Sequence, residues 1–234
     1  MGSAGEPSPS AAVRALVSGL VLALVWAAAF GLTGLPFFPL IAAGGVLTGL
    51  AGLWVRRAAA PPGADGSRPP EAAWLPAIRL RPDQAVLAVA VAVIHLAAAY
   101  VLFEVGTWIA PQLAPTAEQV YGRAEVSLWL AVLLGGVVTA PLEEIYWRGA
   151  VHPLLVTAAR RRAPRMTGVR GLTPALGALV YAAFHLVTGS VALVAAALLG
   201  GWVWSALAER TGTVGAPMLA HAVWACGMLL LPPV

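Results

Sequence analysis

The sequence predicts an all-α fold, a polytopic membrane helix bundle of about seven to eight transmembrane helices. Two observations carry that prediction. Of 234 residues, 60% are hydrophobic and 10% charged, with a mean hydropathy of +0.84, a composition suited to lipid rather than to one aqueous core. The apolar residues also run on without period-two alternation, in stretches near the ~20 residues a helix needs to cross a bilayer. Lipid cannot satisfy free backbone groups, so such stretches must be helical.

In chain order, residues 1–11 form a short polar leader, expected to be disordered. The run 12–32 is longer than a signal-peptide core and further spans follow at once, so a retained helix is expected. The stretch "TGLPFFP" turns the chain into a second run, 36–55, which makes 12–55 an accessory transmembrane hairpin. A Pro/Gly/Arg-rich linker, 56–83, leads to runs at 84–104, 126–146, 172–188, 190–208 and 214–232, so that 84–234 reads as the core. Pro174 suits the first turn of its helix. From Val126 to Arg160 is 35 residues, about 52 Å of helix at ~1.5 Å per residue. One span is shorter than that, so the helix is expected to continue past Tyr146 as a cytoplasmic or interfacial segment, bent at Pro141.

All 14 basic residues are arginine. With abundant Ala, Gly and Pro this points to a bacterial chain and its inner membrane. The net charge of +4 is no nucleic-acid signature, because the arginines sit in short loops between apolar runs. Five lie in 56–83 (Arg56, Arg57, Arg68, Arg79, Arg81) and five in 160–170, whereas 105–125 holds only Arg123. A cytoplasmic amino terminus places both arginine-rich loops, and Arg210, inside. The single cysteine, Cys226, excludes an intrachain disulfide and reads as a packing residue.

Against that background "TAPLEEIYWRGAV" stands out: Glu143, Glu144 and Arg148 are the only charged residues between Glu125 and Arg160. A charge at mid-bilayer costs roughly 2.5–3.5 kcal/mol on insertion scales. Glu144 and Arg148, at i and i+4, share a helix face and can pair structurally. Glu143 is rotated by about 100° from them and a structural pair leaves it unexplained. His185 and His221 are each the sole imidazole or carboxylate of their spans. One glutamate and two histidines from three helices can activate a water, with the carboxylate taking its proton and an imidazole stabilising the oxyanion. They can equally ligate zinc, and no HExxH or CxxC spacing selects between the two. Polar groups at that depth require a water-filled cavity, expected to open to the cytoplasm. His95 reads as packing, and His152 as support for the Glu144–Arg148 face or a contact to lipid head groups.

These residues resemble the CAAX-protease and bacteriocin-processing family (CPBP, or Abi) of intramembrane endopeptidases. "EEIYWRG" resembles its EExxxR signature, and "YAAFH" its FxxxH motif with Tyr181 in place of Phe and His185 in register. "HAVWA" supplies the His221 of HxxxN/D but ends at Ala225. The resemblance covers about 126–234 and implies a peptidase in which Glu143 and His185 activate water. It also implies that Glu144 and Arg148 form the supporting pair and that His221 helps hold the oxyanion. No tightly bound metal is expected; Glu143, His185 and His221 are the ligands if a divalent metal such as zinc binds. The implied partners are membrane lipid and a membrane-associated peptide, prenylated and CAAX-like or bacteriocin-like. Ala225 keeps a second reading open, a weak or inactive member acting as an immunity or partner-binding protein. A proton-coupled transporter would call for repeat symmetry, and the sequence has none.

Overall fold

Seven apolar rods and one short cap arise from these runs. A computed structural model describes residues 9–32, 34–60, 75–123, 126–162 and 169–233. Most of the leader, the centre of the 56–83 linker and the middle of the 160–170 loop lie outside the described residues. Helix α1 (Pro9–Gly31) turns into α2 (Phe37–Ala59), and α3 (Pro82–Ile109) is followed by the short α4 (Leu113–Tyr121). Helix α5 (Leu128–Arg162) is continuous over 35 residues. Then come α6 (Val169–His185), α7 (Val191–Thr211) and α8 (Gly215–Leu230). Six of these are long and apolar enough to cross a membrane, and α8 is a shorter apolar helix. Among the described residues there is no strand. The seven expected runs thus each find a helix, and α4 is the eighth.

Around Pro141, where a bend is expected, α5 carries two π-helical stretches, Val132–Thr139 and Trp147–Val151, on either side of the glutamates. A π turn absorbs the backbone bond that proline cannot make and shifts the register of the side chains beyond it. Helix α6 begins before residue 172, which puts Pro174 inside it.

Helix α2 lies against α5 because its glycines permit it. A methyl group at Gly45 would stand 2.9 Å from Thr139 Cα, and one at Gly52 would stand 2.8 Å from the Ile145 carbonyl. Small residues at this spacing let two backbones approach, the main source of helix association in lipid. Helix α8 packs on α3 and α5, and α6 packs on α7. The outward faces are apolar: Leu16, Leu20 and Leu24 on α1, and Ile94 and Val101 on α3, are exposed, as lipid contact requires.

The two ends of the bundle differ in charge. At one end Arg14 donates to the Trp54 carbonyl (3.4 Å) and Arg56 to those of Gly149 (2.5 Å) and Leu75 (2.9 Å). Gln84 donates to Thr211 O (2.9 Å) and Val214 N–H to Ala77 O (2.8 Å). The helix directions bring Arg160, Arg161, Arg162 and Arg210 to this same end. At the other end Ser190 bonds the Thr116 carbonyl (3.3 Å) and Arg123 that of Ala29 (3.4 Å).

Candidate active site

The polar residues singled out in the sequence converge in the middle of the bundle. Glu143, Glu144, Arg148, Tyr181, His185 and His221 are all buried. The two adjacent glutamates part company there. Glu144, fully buried, accepts through Oε1 from Arg148 Nη1 (3.0 Å) and from His221 Nδ1 (2.8 Å). Arg148 also donates to the Gly201 carbonyl on α7 (3.1 Å) and lies over the Tyr181 ring at 4.6 Å. Glu144 is therefore the hub that ties α5 to α8, while Arg148 ties α5 to α6 and α7.

Glu143 points elsewhere, as its rotation on the helix requires. Its Oε2 accepts from the Tyr181 hydroxyl at 2.5 Å. Its Oε1 has no hydrogen-bond partner among the described residues, and the side chain lines a cavity of about 170 Å³. His185, His221 and Ala225 line the same cavity. That volume has room for several waters.

The imidazoles have their tautomers set by their partners. His185 Nδ1 lies 2.9 Å from the Tyr181 carbonyl, which only accepts, so Nδ1 carries the proton and Nε2 offers a lone pair. His221 Nδ1 likewise faces the Glu144 carboxylate, leaving Nε2 without a partner among the described residues. His185 stands at the end of α6 because Gly189, at φ 69°, turns the chain through the left-handed region into α7.

Three outcomes depart from the sequence reading. His221, grouped there with Glu143, is bonded instead to Glu144 and holds the supporting cluster together as well as lining the cavity. Trp204 was missed: its ring stacks on His221 (centroids 3.8 Å) and faces Arg148 at 5.3 Å. A tryptophan in an apolar run carries no sequence signal of this, although the preceding Gly200–Gly201 pair hints at close packing. The 12–55 hairpin also contributes to the site. Trp26 lies 6.1 Å from the His185 ring, and Phe30, Phe37 and Phe38 line the cavity.

The cavity extends from Glu143 towards the arginine-poor end of the bundle, because the Glu144–Arg148 cluster fills the arginine-rich side. His152 and His95 stay outside the site. His152 Nε2 meets Glu209 Oε1 at 3.0 Å, and His95 stacks on Trp224 at 5.4 Å. A methyl group at Gly136 would meet Cys226 Sγ at 2.5 Å, so Cys226 packs α8 against α5.

No three His, Cys, Asp or Glu side chains among the described residues converge closely enough to hold a metal ion. Glu143, His185 and His221 each turn one polar atom to a protein partner and leave the other free among the described residues.

Residues 125–227 match the family model described as Type II CAAX prenyl endopeptidase Rce1-like. The matched stretch runs from the start of α5 into α8 and includes all three motifs. No curated protein and no solved structure matches the chain.

Proposed function

We propose, from the match of residues 125–227 to a family of endopeptidases, that this chain is a multi-pass membrane peptidase hydrolysing a peptide bond of a membrane-associated substrate. The observation that carries the reading is Glu143: a buried carboxylate with one oxygen held by Tyr181 and the other unpaired at a cavity that also contains His185 and His221.

In the proposed reaction Glu143 Oε1 takes a proton from a water in the cavity, and His185 Nε2 accepts the water's second hydrogen bond and orients it. The hydroxide adds to the scissile carbonyl carbon, and the carbonyl electrons become an oxyanion. His221, braced at Nδ1 by Glu144, stabilises that oxyanion through Nε2–H when the ring carries a second proton. The proton on Glu143 then passes to the departing amine as the C–N bond breaks. Tyr181 keeps the Glu143 carboxylate aimed, and Glu144 and Arg148 hold the helices that carry it. No step runs through a metal. The substrate class is a prenylated CAAX-like tail or a bacteriocin-like peptide, and the setting is a bacterial inner membrane with the amino terminus in the cytoplasm.

The test uses protein in lipid nanodiscs with a panel of prenylated and membrane-spanning peptides, read by mass spectrometry. Cuts made by the parent and absent with Glu143→Gln support the reading, and a chelator arm decides metal dependence. Silence from a well-folded parent across the panel sinks it.

A second reading rests on Ala225. It lines the cavity one helical turn beyond His221, where it offers no donor to an oxyanion. Losing one such donor commonly costs about 10²–10³ in rate. A weak or inactive family member serving as an immunity or partner-binding protein fits that side chain. Ala225→Asn separates the two: a rise of roughly tenfold or more in cleavage marks a slow enzyme, and no activity in either form favours the binding role.

A further inference from the structure

The indole of Trp204 forms part of the cavity floor, beside Glu143, Tyr181 and His221. Its face lies on the His221 imidazole, with ring centroids 3.8 Å apart and planes 21° from parallel. Three other rings meet it edge-on: Tyr181 of α6 at 6.1 Å, His95 of α3 at 5.9 Å and Trp224 of α8 at 5.8 Å. The Arg148 guanidinium lies 5.3 Å from its ring centroid. Contacts from four helices therefore hold the plane of this one side chain.

Two glycines of α7 set the ring there. A methyl group at Gly200 would stand 2.5, 2.7 and 2.8 Å from three atoms of the Trp204 ring, its three nearest neighbours. The indole thus folds back over its own helix, onto a position that only a residue without Cβ leaves open. Gly201 seats the helix itself. Its carbonyl accepts from Arg148 at 3.1 Å, and a methyl group there would stand 2.9 Å from Ala178 Cα. The indole N–H is buried with no hydrogen-bond partner among the described residues. Packing, not a hydrogen bond, fixes the ring.

His221 needs such a surface. Its bond from Nδ1 to Glu144 Oε1, at 2.8 Å, holds one atom of a ring whose last torsion is soft. With that atom held, the ring can still swing Nε2 away from the space beside Glu143. A rigid face against the imidazole removes that freedom, and paired aromatic rings gain more than their burial alone. We propose that Trp204 is a positioning residue: its stack sets the imidazole plane so that Nε2 faces the cavity while Nδ1 stays on Glu144. Trp204 acts on the reaction through His221. The inference rests on the peptidase reading for that consequence, though not for the orientation of the ring.

The test reads the ring and the reaction separately. The chain has four histidines, so imidazole-labelled protein in detergent gives few enough nitrogen and ring-proton signals to assign, with His221→Gln identifying its own. In the parent, His221 is expected to carry a proton at Nδ1 in one tautomer, with ring protons shifted upfield by the indole. Trp204→Leu removes the face, and Gly200→Ala keeps the tryptophan but pushes it away. Both should lose the upfield shift and give mixed tautomers. Both should also lower kcat about 10–10²-fold, since a misplacement of about 1 Å can cost 10²-fold. KM should stay within about twofold, because the interaction lost is one made in the transition state. Trp204→Phe retains a ring face and should keep the single tautomer and most of kcat. Trp202→Leu, at an exposed position of the same helix, should match the parent in both readouts.

A single His221 tautomer retained in Gly200→Ala, or in a folded Trp204→Leu, overturns the assignment. So does a loss in Trp204→Phe as deep as that in Trp204→Leu. A raised KM with unchanged kcat would make Trp204 a wall for substrate and not a support for His221. A parent that cleaves nothing ends the peptidase reading and leaves the spectra to decide the stack. Cleavage by a parent whose His221 signals ignore Trp204 ends this inference and leaves that reading.

Discussion

Two histidine–glutamate contacts join α5 to its neighbours. At the cavity floor His221 meets Glu144 at 2.8 Å. Towards the arginine-rich end His152 meets Glu209 at 3.0 Å, and Thr173 donates to the same carboxylate oxygen at 2.5 Å. Pairing is alike in the two, but Glu144 is fully buried and the Glu209 side chain is 28% exposed. Surroundings differ as well: the first adjoins a cavity and a second carboxylate with a free oxygen, and the second lies outside that cavity. A histidine–glutamate pair in a membrane protein is therefore a weak mark of chemistry by itself. Access to water and a neighbouring unpaired base distinguish the site.

That contrast can be broken or sharpened by mutation. Glu143→Gln keeps the shape of the side chain and removes the base, so cleavage should fall by about 10²–10⁴ while thermal stability in detergent stays near the parent's. Arg148→Ala leaves Glu144 as a buried charge without its cation, which typically costs about 3–5 kcal/mol. It should lower the unfolding midpoint sharply, and a midpoint within a degree of the parent's would show that the cluster is not structural. Tyr181→Phe deletes only the hydroxyl aimed at Glu143. A hydrogen bond to a charged group is worth about 1.5–3 kcal/mol, and part of it should appear as a roughly tenfold fall in kcat with KM unchanged.

The smallest effect on activity belongs to the other pair. Glu209→Gln can still bond Thr173 and His152, so cleavage should stay within about twofold and stability should drop by at most ~1 kcal/mol. A large loss of activity there would erase the distinction between the two contacts.

The division of labour between the glutamates was legible in the sequence because helix geometry fixes it. Residues i and i+4 share a face, and residue i−1 does not, so Glu144 pairs with Arg148 and Glu143 is left for something else. His185 and His221 were legible for a different reason: isolated polar groups in lipid-length runs need a polar partner inside the protein. Trp204 and the hairpin aromatics had no such signal, since an aromatic in an apolar helix looks the same whether it faces lipid, a neighbour or a cavity. The bonding of His221 to Glu144 rather than Glu143 was also invisible, because it depends on how α8 is rotated against α5.

Hydropathy, run length and helical spacing, all properties of neighbouring residues, determined the number of spans, the common end of the arginines and the polar residues that must be sheltered. Which histidine met which glutamate, the hydrogen bond from Tyr181 to Glu143, and the extension of the cavity towards the arginine-poor end were decided by tertiary structure alone. Those depend on close approaches between residues far apart in the chain, such as Gly52 against Ile145 and Gly136 against Cys226. The register of such contacts is set by the shapes of two helices together, and neither helix's sequence contains it.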